Sequence, residues 1–172
     1  MTDEQMIADV LLREGMDAYT HDVAGGDPPT KYGVTQDALA AHRGVAVTPD
    51  DVKALGLDEA KDIYRQHYLM EPGIAKIPNE KLRALVFDAA VNQGPKTAIR
   101  MLQRALNVAD DGVIGSKTMA AMPYLDARIV GVRFLHERAL HYAAVCIAHP
   151  VKLKYLRGWL NRTFAQVEGL LA

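Results

Sequence analysis

From Thr35 onward the chain is cut at short intervals by residues that start or stop helices. Thr35, Thr48, Asn79 and Ser116 each carry a short side chain whose oxygen can accept from the free N–H groups of a first helical turn. Thr48-Pro49-Asp50-Asp51 adds a proline at the first helical position and acids in the first turn. The apolar spacing between these marks predicts helices from Thr35 to His42, Asp58 to Tyr68, Glu80 to Gln93, Lys96 to Leu106, Ser116 to Met122 and Asp126 to Ala148. Gly94-Pro95 separates the third from the fourth, Pro123 breaks the fifth, and two shorter helices split near Gly158 complete the chain. Asp111-Gly112-Val113-Ile114-Gly115 reads as a tight turn whose glycines take positive φ. With no repeat, low-complexity linker or heptad run, no domain boundary stands out.

The first 35 residues read differently. Thr2 and Gln5 form a capping box, Gly15 stops the helix it starts, and Ile7, Val10, Leu11 and Glu14 fall on one face. An acid therefore closes an apolar stripe. Either burial raises the Glu14 carboxyl so that it keeps a proton to donate, or Glu14 points to solvent at a helix end. Gly25-Gly26 and Pro28-Pro29 then forbid a helix, while Ala18–Thr20 and Lys31–Val34 are expected to pair as short strands of an irregular hairpin. A long irregular loop in a compact domain is usually functional. Glu14 with Asp22, Asp27, Thr30 and Thr35 supplies the parts for glycosidic cleavage: a carboxylic acid for the leaving oxygen and a second polar group for water or sugar. Spacing along the chain leaves inverting and retaining geometries equally open.

Composition removes other classes. At 49% hydrophobic and 24% charged residues the chain has the balance of a soluble globular protein. Its single cysteine, Cys146, lies in an apolar run and reads as a buried, inert thiol. No run approaches the ~20 apolar residues that span a bilayer, because Arg128, Arg133, Glu137 and Arg138 interrupt the most apolar segment. The N-terminus lacks a basic n-region, so synthesis in the cytoplasm is expected. Residues 1–95 carry nine Lys/Arg against sixteen Asp/Glu, a net of −7, and residues 96–172 carry eleven against five, a net of +6. Either the halves neutralise each other, or the basic part, with Lys152, Lys154, Arg157 and Arg162 around Trp159, faces an anionic partner. The histidines show no zinc spacing, and His21 alone stands near the suspected site. Trp159 either fills the core or stacks on a sugar, and Asp88 with Asn92 is either a buried pair tying helix ends or a sugar contact.

Arg13-Glu14-Gly15, Tyr19, Asp22, Gly25-Gly26 and Thr30-Lys31-Tyr32-Gly33-Val34-Thr35 resemble the N-terminal pattern of glycoside hydrolase family 108, which holds phage endolysins and bacterial N-acetylmuramidases. Phe87–Pro95 and Leu102–Leu106 are similar to the middle of those proteins, and Asp111–Thr118 with Gly158–Arg162 to their C-terminal peptidoglycan-binding segment. The resemblance covers nearly the whole chain. It implies a mainly α, lysozyme-like α+β fold: a helical bundle with a small β-hairpin beside the active-site cleft. Residues 1–95 would form the catalytic region and 96–172 the wall-binding helical region, packed into one globular unit. The implied activity is hydrolysis of the β-1,4 bond between N-acetylmuramic acid and N-acetylglucosamine. Glu14 takes the place of the catalytic acid, and Asp22 is preferred over Asp27 for the second group. Asp27, Thr30, Tyr32, Thr35 and Asn92 are expected at the glycan.

Two departures bear on that second group: Met16-Asp17-Ala18 intervene before Tyr19, and the usual D-P-G-G order is rearranged as Gly25-Gly26-Asp27-Pro28-Pro29. No cofactor or metal is implied, and peptidoglycan is the partner, with no nucleic acid and no stable membrane insertion. The expected protein is a monomer that waits in the host cytoplasm for a holin-type opening of the inner membrane and then works in the periplasm. A zinc-dependent N-acetylmuramoyl amidase and a non-catalytic wall-binding protein are the rival classes.

Overall fold

The computed structural model describes residues 1–13, 18–21 and 28–171. It divides the chain into two compact units, Met1–Glu71 and Pro72–Ala172, and has the mainly α, lysozyme-like architecture.

In the first unit, helix α1 (Asp3–Arg13) starts on the expected capping box. The Gln5 N–H donates to Thr2 Oγ1 at 3.2 Å and the Thr2 N–H to Gln5 Oε1 at 2.8 Å. Met6, Ile7, Val10 and Leu11 are buried. The hairpin is shorter than the sequence suggests. Strands β1 (Thr30–Lys31) and β2 (Val34–Thr35) pair antiparallel, with Thr30 opposite Thr35 and Lys31 opposite Val34. Tyr32 and Gly33 connect them at φ 54° and 74°, both in the left-handed region that matches a two-residue turn to the twist of its strands. The chain thus reverses inside the segment expected to be one strand. Ala18–Thr20 contributes a single bridge, in which Thr20 and Thr30 exchange N–H···O bonds of 2.9 and 2.8 Å.

Helices α2 (Gln36–Arg43), α3 (Pro49–Lys53) and α4 (Leu57–Tyr64) follow, and α4 packs against α1. Thr48 and Asp51 complete a second capping box. The helix expected to run to Tyr68 changes character at Arg65: Arg65–Met70 forms wider π-type turns, and the Glu71 N–H reaches back to the Gln66 carbonyl at 2.9 Å. An α-helix advances about 100° per residue, which would leave Leu69 about 140° round from Tyr64. The wider turn brings both to the interior, where Tyr64 is 2% and Leu69 0% exposed.

The second unit contains α5 (Glu80–Gln93), α6 (Pro95–Ala105), α7 (Ser116–Ala121), α8 (Ala127–Ala148) and α9 (Leu153–Leu171). Asn79 caps α5 by accepting from the Leu82 N–H at 2.9 Å. Helix α8 packs against α5, α6 and α9, with Val130, Phe134 and Leu135 meeting a core that includes Val86, Phe87, Ile99 and Leu102. Cys146 is buried as a free thiol. The split expected near Gly158 does not occur, and α9 runs through it. One glycine costs a helix about 1 kcal/mol relative to alanine, and the packing of α9 on α8 exceeds that.

Gln103 organises the turn before α7. Its amide nitrogen lies 2.7 Å from Asp111 Oδ1 and 2.9 Å from the Val113 carbonyl, and its Oε1 accepts from the Gly112 N–H at 2.8 Å. Gly112 has φ 80°, as the turn reading requires, but Gly115 has an ordinary φ of −97° and precedes α7 as its cap. A Cβ on Gly112 would stand 2.7 Å from Lys96 Cγ and 3.3 Å from the Lys96 carbonyl, whereas one on Gly115 meets open space. Gly112→Ala should therefore lower unfolding stability by about 1–3 kcal/mol, and Gly115→Ala by clearly less. Urea denaturation of the two variants checks the order.

Candidate active site

Glu14, Asp22 and Asp27 lie outside the described residues. In the first unit the structure brings together Thr30, Tyr32 and Thr35, and it gives each a local task. The Thr30 hydroxyl donates to the Pro28 carbonyl at 3.0 Å. Thr35 caps α2, its Oγ1 accepting from the Ala38 N–H at 3.3 Å, and such a hydroxyl keeps its own proton to donate elsewhere. Tyr32 is buried, and its carbonyl accepts from the Tyr64 hydroxyl at 2.9 Å. The Lys31 ammonium donates to the Lys53 carbonyl at 3.0 Å and stands 5.2 Å from the centre of the Tyr32 ring. Thr30, Tyr32 and Thr35, expected at the glycan, are also residues that hold the hairpin in shape. Tyr64 anchors this turn, and its only sequence signal is a place on the inner side of α4.

Asn92 belongs to the second unit, where it joins a buried ion cluster. Its amide donates to the Asp88 carbonyl at 2.8 Å and accepts from Arg162 Nη1 at 3.0 Å. The Asp88 carboxylate takes Arg138 Nη1 at 2.7 Å and Gln166 Nε2 at 2.9 Å on one oxygen, and Arg162 Nη2 at 2.5 Å on the other. Arg138 is 0% exposed, and it also donates from Nε to Gln93 at 3.1 Å and from Nη1 to Gln166 at 2.8 Å. Burial alone would push the Asp88 carboxyl up. The charge of Arg138, with the hydrogen bond and charge of Arg162, overcomes it and holds the group at about 2. Of the readings open for Asp88 and Asn92, the geometry supplies the tie between helices, and it includes two arginines that spacing within α5 did not announce.

Trp159 is half-buried and stacks on Tyr142 at 4.8 Å between ring centres, with Tyr155 at 5.9 Å. Among the described residues, no group of three or more His, Cys, Asp or Glu side chains is placed to hold a metal ion.

The match of the N-terminal half to a glycosyl hydrolase model makes the chain a glycoside hydrolase that acts on peptidoglycan. Residues 7–94 match the family model described as Glycosyl hydrolase 108, and the chain belongs to that family. Residues 97–164 match the model described as Predicted Peptidoglycan domain. The change from one model to the other falls at the α5–α6 joint, within the second compact unit. The chain is also similar to the solved structure of SagA from Brucella abortus, at 29% identity and a TM-score of 0.81 over 98% of this chain and 93% of that one. Comparison with curated proteins returns no match.

The cluster predicts a pH response. The Asp88 carboxyl sits below its ordinary 3.8 in the folded chain, so the stability it contributes is complete above pH 4 and is lost as pH falls from about 4 to about 2. The loss should be on the order of 2 kcal/mol. Asp88→Asn should cost about 3–5 kcal/mol at neutral pH, because Arg138 is left buried without a counter-charge, and it should flatten that acid limb. Urea unfolding from pH 2 to 7 reads both.

Proposed function

We propose that the chain is an endolysin-type N-acetylmuramidase that cleaves the β-1,4 bond from N-acetylmuramic acid to N-acetylglucosamine, with Glu14 as general acid. The observation that carries the reading is the family match over residues 7–94, which begins on the apolar stripe of α1 and includes Arg13-Glu14-Gly15. The buried side chains of Ile7, Val10 and Leu11 support it, since an acid following an apolar stripe is the arrangement from which a raised carboxyl arises. In this reading Glu14 protonates the leaving oxygen, and Asp22, or Asp27 in its place, activates or positions water. The threonine hydroxyls of the hairpin contact the glycan. The enzyme acts as a monomer, made in the host cytoplasm and working in the periplasm after holin-type release.

Glu14→Gln keeps the side chain's shape and removes the proton donor, so reducing-end release from purified sacculi should fall by about 10² or more with the fold retained. Activity above a tenth of wild type would assign the acid elsewhere. Mass spectrometry of the products decides the bond, because a muramidase leaves N-acetylmuramic acid at the new reducing end. For the second group, Asp22→Ala should reduce kcat more than sacculus affinity. A larger loss from Asp27→Ala, with Asp22→Ala near wild type, transfers the role to Asp27.

A further inference from the structure

The corner between α8 and α9 carries surface that neither the core nor the ion cluster uses. Within nine residues Ile147 is 81%, Val151 73%, Leu153 56% and Tyr155 50% exposed. Lys152, Lys154 and, a turn later, Arg157 are exposed among them. Residues 138–167 contain no Asp or Glu. Of the five Lys/Arg in that stretch, Arg138 and Arg162 are paired with Asp88. Among the described residues, no ion pair joins the other three to a carboxylate. The corner therefore presents aliphatic side chains and uncompensated positive charge together.

We propose that this corner docks on the surface of an anionic phospholipid bilayer, with Ile147, Val151 and Leu153 entering the boundary between headgroups and acyl chains and Lys152, Lys154 and Arg157 facing the lipid phosphates. The two components select this occupant. A glycan strand offers carboxylates to the cations but no apolar medium to the aliphatic side chains. Rings usually receive sugars, and those of Trp159 and Tyr142 are stacked on each other. A second copy of the chain would bring two corners of the same charge together. A bilayer surface satisfies both components, since aliphatic insertion gains in proportion to the area removed from water and each basic residue is drawn to anionic headgroups. Tyr155, with the Lys154 ammonium 4.9 Å from its ring centre, has the amphipathic character of residues at the interface. Among the described residues no helix is long and apolar enough to cross a membrane, so the contact is interfacial.

The inference uses none of the catalytic assignments, and the test keeps them apart. The full chain is mixed with vesicles of phosphatidylglycerol and phosphatidylethanolamine, or of phosphatidylcholine alone, and bound protein is measured by flotation. Trp159 is the only tryptophan and lies one turn from Tyr155, so its emission should shift to the blue on the anionic vesicles. Lys152→Glu with Lys154→Glu should weaken binding to anionic vesicles by about tenfold or more at low salt. Ile147→Ser with Val151→Ser should weaken it comparably, and should also remove the binding that persists at 1 M salt. These side chains are at the surface, and circular dichroism confirms that the fold is kept. Absence of flotation with anionic vesicles overturns the proposal, as does undiminished binding by both double variants. Lysine-dependent pelleting with sacculi and none with vesicles assigns the corner to the wall and overturns it too. A dimer by light scattering that Ile147→Ser with Val151→Ser dissociates assigns it to self-association. Loss of vesicle binding with intact reducing-end release leaves the muramidase reading untouched.

Discussion

Arg138 stands inside a 22-residue helix with no exposure to solvent, and the packing of the second unit depends on Asp88 meeting it. The pair joins α5 to α8 across 50 residues of chain, and Arg162 and Gln166 bring α9 to the same carboxylate. Helix α8 is apolar on more than one side: Val130, Phe134 and Leu135 are buried, while Ile129, Val132, Leu140 and Ile147 are exposed. Hydrophobic burial is non-directional and would reward either side of such a helix. A charge that must be buried with its partner is directional. Only one rotation of α8 puts Arg138 on Asp88, and in any other the carboxylate is left buried without its main counter-charge. The ion cluster thus supplies the discrimination that the apolar pattern of α8 lacks, even where its net contribution to stability is small.

What was legible in the sequence follows from the range of the interactions involved. The Thr2, Thr35, Thr48 and Asn79 caps bond to N–H groups three residues away, so residue type and spacing were enough to place those helix starts. The role of Arg138 depends on a residue 50 positions away, and from sequence alone it read only as an interruption of an apolar segment. The continuous path of α9 through Gly158 and the widened turn at Arg65–Met70 are likewise decided by packing on other helices, which overrides local propensity. At the candidate site the division is similar. Thr35 as a cap was legible, whereas the hold of Tyr64 on Tyr32 spans 32 residues and left no mark in the local pattern.

The hairpin shows how such a distant contact gives a small element its shape. Two paired positions on each strand are too few for a β-hairpin to be stable alone, and Tyr32 occupies a turn position with φ 54°, where Asn, Asp or Gly is normally found. A bulky residue there costs on the order of 1 kcal/mol. The offset comes from the unit's own interior: Tyr32 is 8% exposed, and the Tyr64 hydroxyl bonds to its carbonyl. Because Tyr32 is tied inward on both counts, the turn cannot slip by a residue without exposing its ring and breaking that bond. The register opposing Thr30 to Thr35 is therefore held by α4 rather than by the strands. A substrate contact built on these two threonines would inherit its spacing from a tyrosine that need not touch the glycan at all.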